Sequence, residues 1–460
     1  MQLHQICQVN IKMQKLLFSL LFLHLTLFGS VLNEELIYRY LSVENRHIQK
    51  IINYNDIAKE RLANAQGSFD ISSSLKYETK EYPQSSAEYK EFSLSKRFES
   101  GVELKGAFRE AWGTQEYNNI KTGKDGEYLA SLSAPLLPLF TGLNKASHQL
   151  QSAKVSYGVQ KLSTNDAIRL FTFDVLKAYY EMLLASQKVA LLQRLLENAK
   201  KRESFISMQI DKGKLAKIEA TAALRSTLMY TQELQALKRA FIASQHKLCY
   251  FLDLSYEELF DSYEMPQFDA TTLKLSSNLQ NAIQQAKKNR DDLNAIELQK
   301  ERILLDQKLN SASRVSKSDL HLYSLYDPIY KEGYKVTFEL ALSLEQNSYE
   351  AKRKENLLQY TQLSLQRELK EQEIENELAR LYKQRGSLQQ ELVQQEQIVT
   401  LSNDLLEALK KRFELGSTTL EAIVIEESRF LQTQQKFLEL QNELIVNAKA
   451  IEMQINNFLK

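Results

Sequence analysis

The chain has 460 residues, 43% of them hydrophobic and 25% charged. This excludes a disordered polypeptide and leaves room for two or three ordinary domains. Its 59 Lys and Arg nearly cancel its 58 Asp and Glu, and a net charge of +1 offers no basic footprint for nucleic acid.

The N-terminus places Lys12 and Lys15 before an apolar run of 13 residues, Leu16 to Phe28, which is followed by Gly29, Ser30 and the acidic pair Glu34 and Glu35. This is the layout of a secretory signal, so residues 1–32 are read as a signal peptide with the residues preceding it, and translation could equally begin at Met13. The competing reading, a single membrane anchor, needs about 20 apolar residues. Removal of the leader takes Cys7 with it and leaves Cys249, in KLCYFLDL, as a lone and buried thiol.

A helical segment with an Asn-Arg pair, Asn45-Arg46, comes next and leads into SFDISSSLKYET. There Phe69, Ile71, Leu75 and Tyr77 alternate with Asp70, Ser72, Ser74, Lys76 and Glu78, which predicts a strand with one apolar and one polar face. The stretch EYKEFSLSKRFESGVELKGAFREAW reads as a possible hairpin turning near Ser100-Gly101, and GEYLASLSAPLL as a further strand. KTGKDG, from Lys121 to Gly126, lacks the glycine pattern and following helix of a phosphate loop and reads as a connection between strands.

The five prolines, Pro83, Pro135, Pro138, Pro266 and Pro328, fall in three regions, 83–138, 266 and 328, so the long segments between these regions can run helical without a break. Two such segments are interrupted by glycine: Gly213 in SMQIDKGKLAKIEATAA and Gly416 in KKRFELGSTTLEAIVIEESRFL. Tyr179 precedes Gly213 by 34 residues (213 − 179), and Tyr382 precedes Gly416 by 34 (416 − 382). A second Asn-Arg pair, Asn289-Arg290, opens the second half. The common order of these markers indicates an internal repeat, 33–256 and 273–460, joined by a linker at 257–272 around Pro266. From Asn-Arg to tyrosine the first half runs 134 residues (179 − 45) and the second 93 (382 − 289), so about 41 extra residues, the hairpin among them, belong to the first half.

In the second half, SDLHLYSLY and GYKVTFELALSLE again alternate, the latter setting Val336, Phe338, Leu340, Leu342 and Leu344 against Lys335, Thr337, Glu339, Ala341 and Ser343. A helix from roughly Glu345 to Arg412 follows, about 100 Å long at 1.5 Å per residue. Its positions Ile374, Leu378, Leu381, Arg385, Leu388, Leu392, Gln395, Val399, Ser402, Leu406, Leu409 and Phe413 step by fours and threes, as a coiled-coil seam does. On helix pattern alone, a fibrous coiled coil fits as well as any other architecture. The strands decide against it, because an apolar face between helices occupied with one another is most simply covered by a bilayer. A sheet in lipid must close on itself. Four to six strands per chain are fewer than the eight of the smallest outer-membrane barrels, so several chains must contribute.

With its duplicated halves, SLSAPLL before the first long helix, and RFELGSTTLEAIVIEESRFLQTQQKFLELQNELIVNAKAIEMQINNFL with its earlier counterpart from Met208, the chain resembles the TolC-like outer membrane efflux family over nearly its whole mature length. The resemblance implies a mainly α chain with a transmembrane β-barrel portion: a duplicated helix–strands–long helix–helix unit, forming a trimeric 12-stranded barrel continued by a long periplasmic α-helical coiled-coil tunnel. It implies an outer membrane location in a Gram-negative bacterium, extending into the periplasm, and a passive exit duct for efflux or type I secretion, with no catalytic residues, cofactor or metal. The partners it implies are two further copies of the chain, outer membrane lipid, a periplasmic adaptor and an inner-membrane pump.

Gly213 and Gly416 then fall at the periplasmic tips where the helices reverse, and the expected adaptor contacts are Gly213, Lys214, Leu215, Gly416, Ser417 and Thr418. The bland role of these residues is to close a helical hairpin. Glu219 and Phe413 are expected at the tunnel entrance, Glu219 in a lumenal ring or as a solvated charge. Where better-studied relatives carry a tyrosine and an arginine near the second glycine, this chain has Phe413 and Thr418, which removes that hydrogen-bonded lock. The alternative outside this fold is a secreted or periplasmic coiled-coil scaffold without a pore.

Overall fold

The computed structural model describes residues 30–113, 120, 122–136, 143–266, 278–312, 315–342 and 344–456. Of the spans read as leader (1–32) and linker (257–272), residues 1–29 and 267–272 lie outside them. The chain divides into two compact units, one drawn from Met1–Lys50, Ala167–Asn289 and Ile374–Lys460, the other from Ile51–Asp166 and Arg290–Glu373. Helices α1 (Glu34–Tyr40), α2 (Arg46–Gly67), α3 (Lys145–Asp211), α4 (Lys217–Leu252), α5 (Tyr256–Phe260), α6 (Leu279–Asn289), α7 (Asp291–Ala312), α8 (Asn347–Glu414) and α9 (Leu420–Gln454) account for most of it. Among the described residues no helix is long and apolar enough to cross a membrane.

The unit drawn from 51–166 and 290–373 holds one antiparallel sheet of six strands: β2 (Ile71–Tyr82), β3 (Ser85–Arg97), β4 (Glu103–Gly113), β5 (Glu127–Pro135), β7 (Val315–Asp327) and β8 (Lys331–Leu342), adjacent in that order. Period-two alternation puts Ile71, Leu75 and Tyr77 on one face, and the register extends that face through Phe92, Leu94, Leu104, Phe108, Tyr128, Leu132, Leu320, Leu322, Val336 and Phe338. Among the described residues this face is exposed: Leu75 is 82% exposed and Tyr334, on the same face, 86%.

Twelve strands shared by three copies need four per chain, whereas this chain places six in one sheet. The difference is the hairpin β3–β4, Ser85 to Gly113, which lies between β2 and β5. It accounts for most of the surplus between the halves.

The other unit is helical. Leu32, Ile37, Val175, Leu176, Tyr179, Met182, Leu248, Cys249, Leu252 and Leu259 form one buried cluster, to which the Tyr179 hydroxyl adds a 2.8 Å hydrogen bond to the Leu32 carbonyl. Cys249 is a free, buried thiol there, and burial raises its pKa. At the start of the span read as a linker, α5 is capped by Ser255 through a capping box, and Tyr263–Glu264 (β6) pairs in parallel with Ser30–Val31 (β1).

All twelve seam positions of α8 are buried or half-buried. The middle of this seam meets the chain's own α9: Leu388 and Leu392 meet Leu440 and Leu444, Gln395 Nε2 donates to the Thr433 carbonyl at 2.8 Å, and Asn447 Nδ2 donates to that of Leu381 at 3.1 Å.

The Asn-Arg pairs fasten the ends of α4 and α9. Asp253 and Asn456, just past those ends, both take the left-handed conformation, with φ 60° and 58°. Arg46 Nε donates to Asp253 at 2.7 Å, and Asn456 Nδ2 donates to the Asn289 carbonyl at 2.8 Å. In the second half Arg290 stands between two helices, α6 and α7, rather than within one.

Candidate functional site

The tips are built by two turns of the same design. Helix α3 ends with the Gly213 N–H donating to the Ile210 carbonyl at 2.8 Å and the Lys214 N–H to that of Gln209 at 2.9 Å. Helix α8 ends with Gly416 N–H donating to Phe413 at 2.9 Å and Ser417 N–H to Arg412 at 2.8 Å. This double closure is the Schellman motif, which needs a left-handed residue, and φ is +71° at Gly213 and +72° at Gly416. The next helices start in step: α4 at Lys217, four residues after Gly213, and α9 at Leu420, four after Gly416.

The two turns share one apolar cluster, in which Ile206, Ala223 and Leu420 are buried and Leu215 and Phe413 pack against them. Of the residues expected at the tips, Gly213, Lys214, Gly416 and Ser417 are exposed and Thr418 is half-buried. Leu215 and Phe413 are thus brought together as the floor of the tip. Glu219 lies half-exposed in the first turn of α4, where a carboxylate is favoured by the unpaired N–H groups.

Behind the tips lies a buried ion pair that sequence reading missed. Arg202 Nη1 of α3 donates to Glu427 Oε1 of α9, with the side chains 11% and 1% exposed, and the Tyr230 hydroxyl of α4 donates to Glu427 Oε2 at 3.5 Å. Burial and then the Glu427 charge push the Tyr230 pKa up. The signal was present: Leu420, Ile423, Glu427 and Leu431 follow helical spacing and are all buried, so a charge occupies a seam position.

The sheet supplies the second element of the site. Opposite its apolar face, the strands carry ion pairs between neighbours: Arg109–Glu127 at 2.6 Å, Lys105–Glu91 at 2.6 Å and Arg97–Glu103 at 2.9 Å. Ser133 Oγ and His321 Nδ1 of the adjacent strand are hydrogen-bonded at 2.7 Å. One face therefore suits hydrocarbon and the other water. Among the described residues no group of His, Cys, Asp and Glu could hold a metal ion.

An antiparallel sheet faced in this way, in a chain of long helices that reverse at paired glycines, defines a channel fold with a β-barrel and a helical tunnel. The chain has the fold of the TolC-like outer membrane channels. CusC, in a structure describing transmembrane channel formation, superposes with a TM-score of 0.69 at 13% identity, covering 93% of each chain. The outer-membrane channel OprN gives 0.69 at 14% identity, covering 91% of this chain and 88% of its own. The Campylobacter jejuni CmeC outer membrane channel gives 0.66 at 10% identity, covering 90% and 83%. No family model matches the sequence, and no curated protein matches it.

Proposed function

We propose that the protein is the outer membrane channel of a tripartite efflux or type I secretion system, a passive duct and not an enzyme. In this reading three copies close a barrel in the outer membrane of a Gram-negative bacterium and continue into the periplasm as a helical tunnel. The halves 33–256 and 273–460, joined through 257–272, are an internal duplication. The tips around Gly213 and Gly416, with Lys214, Leu215, Ser417 and Thr418, receive a periplasmic adaptor that couples the duct to an inner-membrane pump. Glu219 and Phe413 stand at the tunnel entrance, and the pump supplies the energy.

The observation that carries this reading is the uncovered apolar face of the six-stranded sheet set against a face of ion pairs. A secreted coiled-coil scaffold would leave Leu75, Tyr334, Val336 and Phe338 in water, which is unfavourable by about 25 cal/mol per Å² of apolar surface. Fractionation tests it: a heat-modifiable, detergent-dependent trimer in the outer membrane is expected. A detergent-free soluble dimer would sink the proposal.

A further inference from the structure

We infer that the β3–β4 hairpin is part of the channel wall, so that the closed trimer has eighteen strands and a wider bore than four strands per chain would give. The inference rests on the trimeric-channel reading above and concerns the wall of that same channel.

The hairpin is not an appendage to a four-stranded sheet. Strand β3 is paired with β2 from Ile71–Lys96 to Tyr82–Ser85, and β4 with β5 from Glu103–Ser133 to Arg109–Glu127. Three strand spacings separate β2 from β5, about 14 Å, so the two cannot pair unless the hairpin leaves. Its departure would break both ladders and strand their backbone groups in hydrocarbon. The faces agree as well. Phe92, Leu94, Leu104 and Phe108 extend the apolar face, while Glu91, Lys105 and Arg109 carry ion pairs on the polar one. At 13 and 11 residues, β3 and β4 are long enough to cross the membrane.

The outer edges fit one another. Strands β2 and β8 are each 12 residues long, and among the described residues each has one edge unpaired. Because six is even, β8 meets β2 of the next copy antiparallel. Aligned end to end, with Ile71 beside Leu342 and Tyr82 beside Lys331, the edges bring Leu75 to Phe338 and Tyr77 to Val336 on the apolar face. The same alignment sets Glu78 opposite Lys335 on the polar face.

The stagger of a barrel with this seam can be followed along one row. Ile71, Lys96, Leu104, Leu132, Leu322 and Val336 lie in line across the six strands. At the seam Val336 meets Tyr77 of the next copy, six residues beyond the row's start (77 − 71). Over three copies the displacement equals the strand number, the ratio of barrels whose strands tilt about 36°, within the range of outer-membrane barrels. A displacement of six in the opposite direction leaves the two edges without overlap. Eighteen strands about 4.8 Å apart at such a tilt enclose a cylinder about 35 Å across between backbones, against about 23 Å for twelve.

Electron cryomicroscopy of the purified trimer in lipid nanodiscs counts the strands directly. Eighteen are expected, and twelve with residues 85–113 outside the wall would overturn the inference. Single-cysteine variants in a Cys249→Ala background, labelled with a fluorophore in brominated-lipid vesicles, separate this inference from the channel reading. F92C and F108C should be quenched by lipid to within about twofold of L75C and V336C. Quenching confined to L75C and V336C overturns the wide barrel and leaves the channel intact. Quenching at none of the four overturns the channel reading and the wide barrel with it.

Discussion

Gly213 and Gly416 hold one backbone conformation at two sites of the chain, with φ of +71° and +72° and the same pair of closing hydrogen bonds. A Cβ built at either glycine meets nothing within 4 Å, so the requirement for glycine is conformational rather than steric.

Substitutions there should be ranked by tolerance of the left-handed region. Gly213→Asn and Gly416→Asn should be nearly neutral, whereas valine at either position should cost about 1–2 kcal/mol. The double valine variant should assemble a normal heat-modifiable trimer yet lose coupling to its adaptor, measured as substrate efflux in cells. Normal efflux by that variant would count against the tips as the docking site.

The Arg202–Glu427 pair joins α3 to α9 and is almost wholly buried, and two further guanidinium nitrogens of Arg202 are buried without a hydrogen-bond partner among the described residues. Glu427→Gln strands the buried cation and should lower stability by about 3–5 kcal/mol. The double variant Arg202→Met, Glu427→Leu should recover most of that loss. Thermal melts of the three proteins check the order.

Arg46 beside Asp253 holds that carboxyl below the usual carboxylate range, against the opposing effect of burial. The folded-state pKa is depressed, so the stabilisation is present above about pH 4 and is lost as pH falls through the folded value. Stability curves of wild type and Asp253→Asn should differ at neutral pH, approach one another in acid, and lie closer together in high salt, since the arginine is exposed. A gap that stayed the same from neutral pH through to strong acid would contradict the assignment.

The two faces of the sheet should respond oppositely to charge. Leu322→Arg, on the apolar face, should cost about 2–4 kcal/mol of barrel stability in lipid, while Thr337→Arg, on the polar face beside His321, should be tolerated. Urea unfolding from vesicles distinguishes them. Equal sensitivity at both positions would mean that the faces have been assigned wrongly.

Glu219→Gln should weaken cation preference in single-channel recordings if three copies of the carboxylate ring the tunnel entrance. Unchanged selectivity would move Glu219 to the outer surface of the tips.

Much of this was legible from local pattern. Alternation located the strands because side chains on a pleat point to opposite faces whatever lies beside them. The α8 seam followed from spacing, and the tip glycines from a break in helix propensity. The Arg202–Glu427 contact was not legible, because a lone charge at a seam position does not name its partner across 225 residues.

The amino-acid sequence by itself determined where the chain is helical or extended and where it turns, since each of these is set by residues a few positions apart. The tertiary structure alone decided that the surplus hairpin lies inside the sheet, that the middle of the α8 seam meets α9, and which charges pair. Pairing between distant segments depends on register and on which edges remain open, and those are properties of the assembled backbone.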